Sequence, residues 1–190
     1  MTPSASQTVG PFFNYALTAD PSLGILAHPG AEGERIQLTF RIVDGNGEPT
    51  PADSLIELWQ ADSRGCYRHP ADPHAAEADP NFCGFGRLAT DGNGACTFET
   101  VKPGSIAPAF GSGMQAPHIN VAVFARGLLK QLYTRVYFAG EPLNASDPIL
   151  ALAPEHRRAT LVARALPDSG NAWFFEIRLQ GAAETVFFDV

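Results

Sequence analysis

Polar and apolar residues alternate along several short segments of the chain. In residues 36–42 every even-numbered position is apolar and every odd-numbered position is polar, and residues 55–59 and 173–179 follow a similar pattern. Successive side chains of a β-strand point to opposite faces, so such a segment places one face in a core and the other in water. The alternation predicts an all-β fold, a two-layer β-sandwich.

Glycine and proline interrupt the apolar runs at short intervals, with 18 Gly and 16 Pro in 190 residues, and this spacing favours short strands joined by turns. Two Asp-Gly-Asn-Gly turns, 44–47 and 91–94, supply residues that accept a positive φ, and the second predicts a hairpin. No long amphipathic helix is indicated, although residues 154–158 are compatible with one helical turn. The predicted strands cover residues 35–44, 54–60, 86–90, 95–100, 118–125, 131–137, 158–165, 173–179 and 184–189.

Clustered aromatic residues lie near both ends of the sequence. Aromatic residues cluster within 12–15, and two adjacent phenylalanines occupy 187–188. Apolar ends usually dock, either on the chain's own sandwich or on another subunit, and the aromatic ends of this acidic chain favour an oligomer. We expect an N-terminal arm and loop over residues 1–34 that contacts a partner subunit, and a β-sandwich domain with long loops over residues 35–190.

The charge balance excludes several classes of partner. The formal net charge is −7, and the 13 Lys and Arg residues are scattered, which argues against nucleic acid and against an anionic membrane surface. The three cysteines, Cys66, Cys83 and Cys96, have no metal-type spacing and are expected to be reduced thiols. No signal-type leader and no run of about 20 apolar residues is present, so we expect a cytoplasmic protein.

Four short motifs follow one another along the chain. They read ELWQADSRGCY at 57–67, NFCGFGR at 81–87, TVKPG at 100–104 and APHIN at 116–120. Each is weak alone, but in this order, on a β-sandwich chain of this size, the series resembles the intradiol ring-cleaving dioxygenases. No P-loop, dinucleotide fingerprint or Ser-His-Asp arrangement competes with this interpretation.

The resemblance implies a non-haem ferric ion held by two tyrosines and two histidines. Phenolates suit ferric iron because a nearby metal charge lowers the tyrosine pKa, and a His-X-His pair on a strand shares one face. Tyr67 and His118 match the first ligand of each kind. The second tyrosine position is Ile106 and the second histidine position is Asn120, while the family's arginine three residues before the first histidine is Gln115.

This departure implies that the chain itself binds no iron. The pattern of loss is similar to that of the α chains in two-chain members of the family, as are the segments SQTVGPF at 6–12, FARG at 124–127, YTRVYF at 133–138, and RLQG at 178–181 with ETVFFD at 184–189. In those members the β chain carries the Fe(III), and the pocket lies at the α–β interface. The resemblance therefore implies a non-catalytic subunit of an αβ hetero-oligomer that cleaves 3,4-dihydroxybenzoate with O₂.

Several residue roles follow from the resemblance. Thr8, Gly10 and Pro11 are expected to form part of the wall of the partner's pocket, because glycine permits close approach and proline stiffens an arm. Arg135 has three readings: it faces the carboxylate of the aromatic substrate, it fills this chain's own vacated metal cavity, or it is exposed. Tyr67 and His118 are interpreted as remnants of the metal site. The remaining histidines are expected at the surface.

The aromatic side chains on the predicted strands are candidates for the core. These candidates are Trp59, Trp173, Phe40, Phe98, Phe124 and Phe138. A second function class stays open at this point, namely a stand-alone, non-enzymatic binding or scaffold protein derived from the intradiol sandwich. A third, a homomeric enzyme with an altered metal site, is disfavoured because isoleucine has no lone pair to offer at position 106.

Overall fold

The computed structural model describes residues 10–50, 54–108, 113–167 and 169–189, and within them the chain forms eight strands and one short α-helix. The strands are β1 (Arg35–Val43), β2 (Leu55–Trp59), β3 (Phe85–Ala89), β4 (Ala95–Val101), β5 (His118–Phe124), β6 (Leu132–Phe138), β7 (Val162–Ala165) and β8 (Ala172–Arg178). The helix α1 covers Pro11–Leu17, with Pro11 at its first position, where a missing N–H costs nothing. Short 3₁₀ helices cover Pro21–Gly24, Ala75–Glu77, Pro142–Ala145, Leu150–Leu152 and Glu155–Leu161.

The strands form one mixed sheet in the order β3-β2-β5-β6-β7-β8-β1-β4. Neighbours are antiparallel except for β1 with β8 and β6 with β7. The β6–β7 pair is only two residues long, Tyr137 with Val162 and Phe138 with Ala163, so the sheet folds there into two layers. The predicted all-β, two-layer architecture is confirmed.

The core lies between the two layers. Phe40 of β1 packs edge-to-face on Phe98 of β4 at 5.8 Å and on Phe175 of β8 at 5.9 Å between ring centroids. Side chains of β2, β5 and β6 reach the same cluster from the opposite layer. Each fully buried aromatic or aliphatic side chain stabilises the fold by about 2 kcal/mol, so this interior supports the sandwich without a metal.

Three parts of the sequence interpretation of the elements are wrong. The turn at 91–94 joins β3 to β4 but forms no hairpin, because β3 pairs with β2 and β4 pairs with β1, at opposite ends of the sheet. Residues 184–189 form no strand. Phe188 makes only an isolated bridge to Tyr133, because residues 185 and 186 are hydrogen-bonded to other parts of the chain. Residues 158–161 belong to the 3₁₀ helix Glu155–Leu161 and not to β7. Beyond that, the eight predicted strands agree with the observed strands to within a few residues at each end.

Trp59 corrects the predicted core. Trp173, Phe40, Phe98 and Phe138 are buried, but Trp59 is 37% exposed, and Phe124 is half-buried. Trp59 ends β2 on the same face as Glu57, opposite the buried Leu58. Its indole therefore points away from the interior, and its partner is the ring of Tyr67.

A short segment closes the gap between the two outer strands. The Leu26 backbone N–H donates to the Glu99 carbonyl of β4 at 2.8 Å, and the Leu26 carbonyl accepts from the Cys83 N–H at 2.8 Å, just before β3. Leu26 packs so closely on Gly86 that a Cβ there would lie 2.6 Å from Leu26 Cδ1. We call residues 25–28 the seam segment. In the described part of the chain, no helix has the length and apolar character needed to cross a membrane.

Candidate functional site

A cavity of about 360 Å³ lies outside the core, at the layer formed by β2, β5 and β6. It is bounded by the loop that follows β2, by the loop that follows β4, and by the strands β5 and β6. Its lining residues are Trp59, Gly65, Tyr67, His69, Ala71, Asp72, Pro73, His74, Ile106, Ala107, Pro108, Gln115, His118 and Arg135. The cavity thus brings together four of the five positions that carry the resemblance to the metal site, namely Tyr67, Ile106, His118 and Gln115, and it adds Arg135; Asn120 does not line it.

Two glycines allow the loops of the cavity to meet. Gly65 has a φ of +86°, and a Cβ there would lie 2.1 Å from the carbonyl oxygen of Ser105. A Cβ on Gly104 would lie 2.6 Å from the backbone nitrogen of Gly65. Only glycine permits this backbone-to-backbone contact without strain. The contact places Tyr67, from the first loop, and Ile106, from the second, around the same space.

Buried polar groups hold these loops. The Asp62 carboxylate accepts from the backbone N–H groups of Arg64 at 2.9 Å, Cys66 at 3.0 Å and Asp79 at 2.9 Å. The Gln60 amide is buried as well; its nitrogen donates to the Val101 carbonyl at 3.1 Å. Buried polar groups that are fully bonded in this way fix a single loop conformation.

Tyr67 is a neutral phenol in this environment. Its ring stacks on Trp59 with 5.7 Å between centroids and 15° between planes. Burial raises its pKa, and the Arg135 guanidinium opposes that rise. The Asn120 amide donates to the Trp59 carbonyl at 3.2 Å and lies 3.5 Å from the Tyr67 hydroxyl oxygen.

His118 is a neutral imidazole. It is 1% exposed, and burial together with the positive charge of Arg135 lowers its pKa to about 4. Its Nδ1 lies 2.8 Å from the carbonyl oxygen of Ala116, so Nδ1 carries the proton and donates. The neutral ring keeps its other nitrogen, Nε2, as an acceptor.

Arg135 occupies the cavity from the side of β6. It pairs with Asn120 in the β5–β6 register, and its Nη1 donates to Gln115 Oε1 at 2.8 Å. Gln115 is in turn bonded through its backbone to Ile106, in both directions, at 2.9 and 3.0 Å. The residues at two of the altered family positions, Ile106 and Gln115, are therefore paired with each other, and one of them holds the guanidinium.

Asp147 stabilises this arrangement through hydrogen bonds to its carboxylate, and the sequence analysis did not identify it. Its carboxylate accepts from the Tyr137 hydroxyl at 3.0 Å and from the backbone N–H groups of Ala116 at 2.7 Å, Ile149 at 2.9 Å and Leu150 at 2.7 Å. An Asp that opens a helical turn is a weak sequence signal for such a role. The bond to Ala116 fixes the backbone just before His118.

The mouth of the cavity contains further residues that sequence reasoning did not assign to a site. His69 and His74 are exposed, as expected, yet both line the cavity, and His69 meets the edge of Trp59 at 6.0 Å. Asp72 accepts from the backbone N–H of Tyr67 at 2.7 Å and from that of His74 at 2.7 Å. These contacts shape the rim of the cavity.

The donors in the cavity do not fit a four-ligand ferric site. Tyr67 and His118 are both present, but Ile106 offers no lone pair, and Asn120, whose amide nitrogen donates to Trp59 and lies near Tyr67, offers only a neutral amide oxygen. A guanidinium charge stands in the same space and would repel a cation. Across the described ranges, moreover, His, Cys, Asp and Glu form no group of three or more that could hold a metal ion.

The arm residues lie apart from this cavity. Gly10 precedes α1 in an extended conformation, and Pro11 begins the helix; neither lines the cavity. Thr8 falls outside the described residues. The predicted role of these three residues concerns the pocket of a partner chain and stays a prediction.

Comparisons with known proteins agree with the geometry. The profile of a family described as "Dioxygenase" matches residues 9–181. The chain is 43% identical to a protocatechuate 3,4-dioxygenase alpha chain of Burkholderia cepacia, over 97% of this chain and 96% of that one. It is 40% identical to a protocatechuate 3,4-dioxygenase beta chain of the same species, over 80% of this chain and 67% of that one.

A solved structure shares the fold. The dioxygenase domain of a dioxygenase–carbohydrate-binding protein fusion from Streptomyces sp. SirexAA-E superposes with a TM-score of 0.62 at 23% identity. The match covers 95% of this chain and all of that domain, 100%. At this identity the likeness supports the architecture and leaves the chemistry to the residues of the cavity.

Proposed function

Because this chain belongs to the intradiol dioxygenase family, we propose that it is the non-catalytic α subunit of a protocatechuate 3,4-dioxygenase. The complete enzyme would insert both atoms of O₂ between the two hydroxylated carbons of 3,4-dihydroxybenzoate and release 3-carboxy-cis,cis-muconate. The ferric ion would be held by a β chain. Burkholderia cepacia has both an alpha chain and a beta chain of protocatechuate 3,4-dioxygenase, and this chain is similar to each of them. The α chain would contribute interface and pocket wall.

One observation carries this proposal, namely the content of the chain's own cavity. Two potential ligands are present, two family positions lack one, and an arginine lines the same cavity, bonded to Gln115. A ferric ion needs several strong donors, preferably anionic, to compete with water. The oxidising centre is therefore expected in a second polypeptide, and this chain is expected to act through contact with it.

The N-terminal arm is the part that we assign to the partner's pocket. Thr8, Gly10 and Pro11 are proposed as wall residues. A Cβ added to Gly10 would meet nothing within 4 Å among the described residues, and its φ of −86° is open to any residue. A side chain at this position would therefore disturb a neighbour outside the chain without disturbing the chain itself.

Two of the three interpretations of the role of Arg135 stay open. Its position in the cavity beside Gln115 supports the one in which the guanidinium takes the space of the missing ion. Contact between Arg135 and the carboxylate of the substrate in the partner's pocket stays a prediction. The side chain is half-buried, so the reading as an exposed strand arginine is the least supported.

Co-expression with the β chain tests the proposal. We expect oxygen uptake and muconate formation with 3,4-dihydroxybenzoate from the pair and from neither chain alone. An α chain that starts at Phe12 should co-purify with β and lose most of the activity. Full activity of the β chain alone would contradict the proposal and favour the stand-alone scaffold.

Gly10→Val provides the matched substitution for that truncation. It should leave the thermal unfolding temperature of the isolated α chain unchanged and lower the activity of the αβ complex. An equal fall in stability of the isolated chain would mean that the arm serves its own fold. Unchanged activity of the complex would remove Gly10 from the proposed wall.

Iron analysis tests the division of labour directly. The purified α chain should contain no stoichiometric iron and should show no visible absorption from tyrosinate bound to iron. The αβ complex should contain about one iron per pair, as expected when one chain of each pair holds a complete ligand set. Stoichiometric iron in the isolated α chain would contradict the proposal.

A further inference from the structure

The guanidinium of Arg135 is a positive charge that lacks a carboxylate partner. It is hydrogen-bonded to two neutral groups, the amide oxygen of Gln115 and the hydroxyl of Tyr137, and in the part of the chain that the structure describes it forms no ion pair. The buried carboxylate behind it, Asp147, already accepts four hydrogen bonds. Arg135 presents five N–H donors in a planar fork, and Gln115 and Tyr137 together occupy only part of that fork.

The cavity around this charge has the walls of a ligand site. On one side stands the Trp59–Tyr67 stack, and the loop after β4 adds the apolar side chains of Ile106 and Pro108. A volume of about 360 Å³ is near the lower end of the range for small-molecule pockets, which suits a molecule with one ring. Apolar walls with a few placed polar groups are typical of such sites.

The other polar groups of the cavity do not neutralise the arginine. His118 is uncharged and donates to a carbonyl of its own segment, while Tyr67 is a neutral phenol. Asp72 carries a negative charge, but it lies in the loop after β2, where its two oxygens accept from the Tyr67 and His74 N–H groups. The unbalanced charge therefore faces a space that an anion of matching shape can enter.

We propose that this cavity binds a small organic carboxylate, specifically a single-ring aromatic acid. The carboxylate would take the two-pronged bond that guanidinium offers, beside Gln115. The ring would lie against the Trp59–Tyr67 stack and Ile106, where aromatic contact and burial add affinity. The proposal rests on this chain's own residues and does not depend on the proposed function.

Calorimetric titration of benzoate into the full chain tests the site. We expect one benzoate per chain and a change in the fluorescence of Trp59, which is at the cavity, whereas the other tryptophan, Trp173, lies in the core. Benzamide has the same ring without the charge and should bind at least about tenfold more weakly. Equal affinity for benzamide and benzoate, or no saturable binding of benzoate, would overturn the proposal.

Arg135→Gln should weaken benzoate binding at least about tenfold, since the charged bond is lost. Arg164→Gln is the matched control, because Arg164 lies over the Phe174 ring, 4.7 Å from its centroid, and does not line this cavity. It should bind benzoate like the parent chain. Parent-like affinity in Arg135→Gln would refute the site.

Ile106→Trp keeps the test valid if Arg135→Gln fails to fold, as judged by circular dichroism. The larger side chain occupies the cavity and leaves the arginine in place, so loss of benzoate binding would support the site and retained binding would overturn it. A β chain that is active alone would refute the proposed function while leaving the benzoate result intact. Absence of benzoate binding would overturn the proposed carboxylate site and leave the proposed function intact.

Discussion

At the scale of single residues, His118 shows how the altered metal position has been absorbed into the fold. The imidazole is buried, donates a hydrogen bond from Nδ1 to the Ala116 carbonyl, and lies near the charge of Arg135. Asp147 acts in the opposite direction on its pKa, but burial and Arg135 dominate, and the result is a pKa of about 4. The ring is retained as a neutral packing and hydrogen-bonding group.

This environment predicts a pH dependence of stability. Between the ordinary histidine pKa of 6.5 and the folded pKa of about 4, the unfolded chain takes up a proton that the folded chain refuses. The free energy of unfolding should therefore fall as pH drops through this window, by about 3 kcal/mol from this residue alone. His118→Gln should show a flatter profile by that amount in urea denaturation between pH 7 and pH 4.

His156→Gln is the control for that measurement. It removes an exposed histidine from the 3₁₀ helix Glu155–Leu161 and should leave the slope of the parent profile in place. A parent-like slope in His118→Gln would mean that His118 takes up its proton at the same pH in the folded protein as in the unfolded chain. The interpretation of its ring as neutral would then be wrong.

At the scale of elements, the contact between the loops after β2 and β4 determines the cavity. Gly65 and Gly104 touch through their backbones, and no side chain separates the two loops at that point. Gly65→Ala should therefore be strongly destabilising, because it combines a positive φ with a clash against the Ser105 carbonyl. We expect a loss of about 2 to 4 kcal/mol in the free energy of unfolding, measured by urea denaturation.

The turn between β3 and β4 offers a matched control. A Cβ on Gly92 would meet nothing within 4 Å, and its φ is not positive. Gly92→Ala should change the free energy of unfolding by less than about 1 kcal/mol. Similar losses in the two variants would mean that the close approach at Gly65 relaxes at little cost.

Strands could be predicted from the sequence where the pattern that indicates them is local. Alternation located β1, β2 and β8, and the second Asp-Gly-Asn-Gly turn located the boundary between β3 and β4, although these two strands do not pair with each other. The exposure of Trp59 was also readable, since it shares its strand face with Glu57, but its size suggested the core. The end of the chain could not be read in this way, because 184–189 is bonded to three separate segments and not to one strand.

Only part of the candidate site could be predicted from the sequence, for a similar reason. The motifs identified Tyr67, Ile106, His118 and Gln115 as neighbours, and the cavity brings them together. The bond from Arg135 to Gln115 and the role of Asp147 depend on which loops meet in space. No periodicity carries that information, because it arises from tertiary packing.

At the scale of the whole molecule, the C-terminal segment ties the two layers together. Thr185 bonds to Arg178 of β8, with its N–H donating to the Arg178 carbonyl at 2.9 Å. The Thr134 hydroxyl of β6 donates to the Val186 carbonyl at 2.8 Å, and the Phe188 N–H donates to the Tyr133 carbonyl at 2.8 Å. Phe188 also packs on the smaller of the two buried clusters, which contains Tyr137 and Leu161.

Deletion of residues 186–190 should therefore lower the stability of the entire sandwich. Loss of the partly buried Val186, Phe187 and Phe188 should cost about 3 kcal/mol in the free energy of unfolding, measured by urea denaturation. Deletion of 189–190 alone removes Asp189 and its exposed ion pair with Lys130, and it should lower the free energy of unfolding far less than deletion of 186–190 does. Equal transitions for both deletions would show that the apolar end serves a partner chain only.

The seam segment has a consequence for how this molecule meets others. β3 and β4 lie at the two ends of the sheet, and strands in that position expose N–H and C=O groups that can recruit further chains into fibrils. Residues 25–28 occupy backbone groups at both borders, through Glu99 and Cys83. Association by strand addition is thereby discouraged, which leaves side-chain shape and charge to select the companion subunit of the proposed αβ assembly. Such selection permits a closed assembly of fixed composition in place of open-ended aggregation.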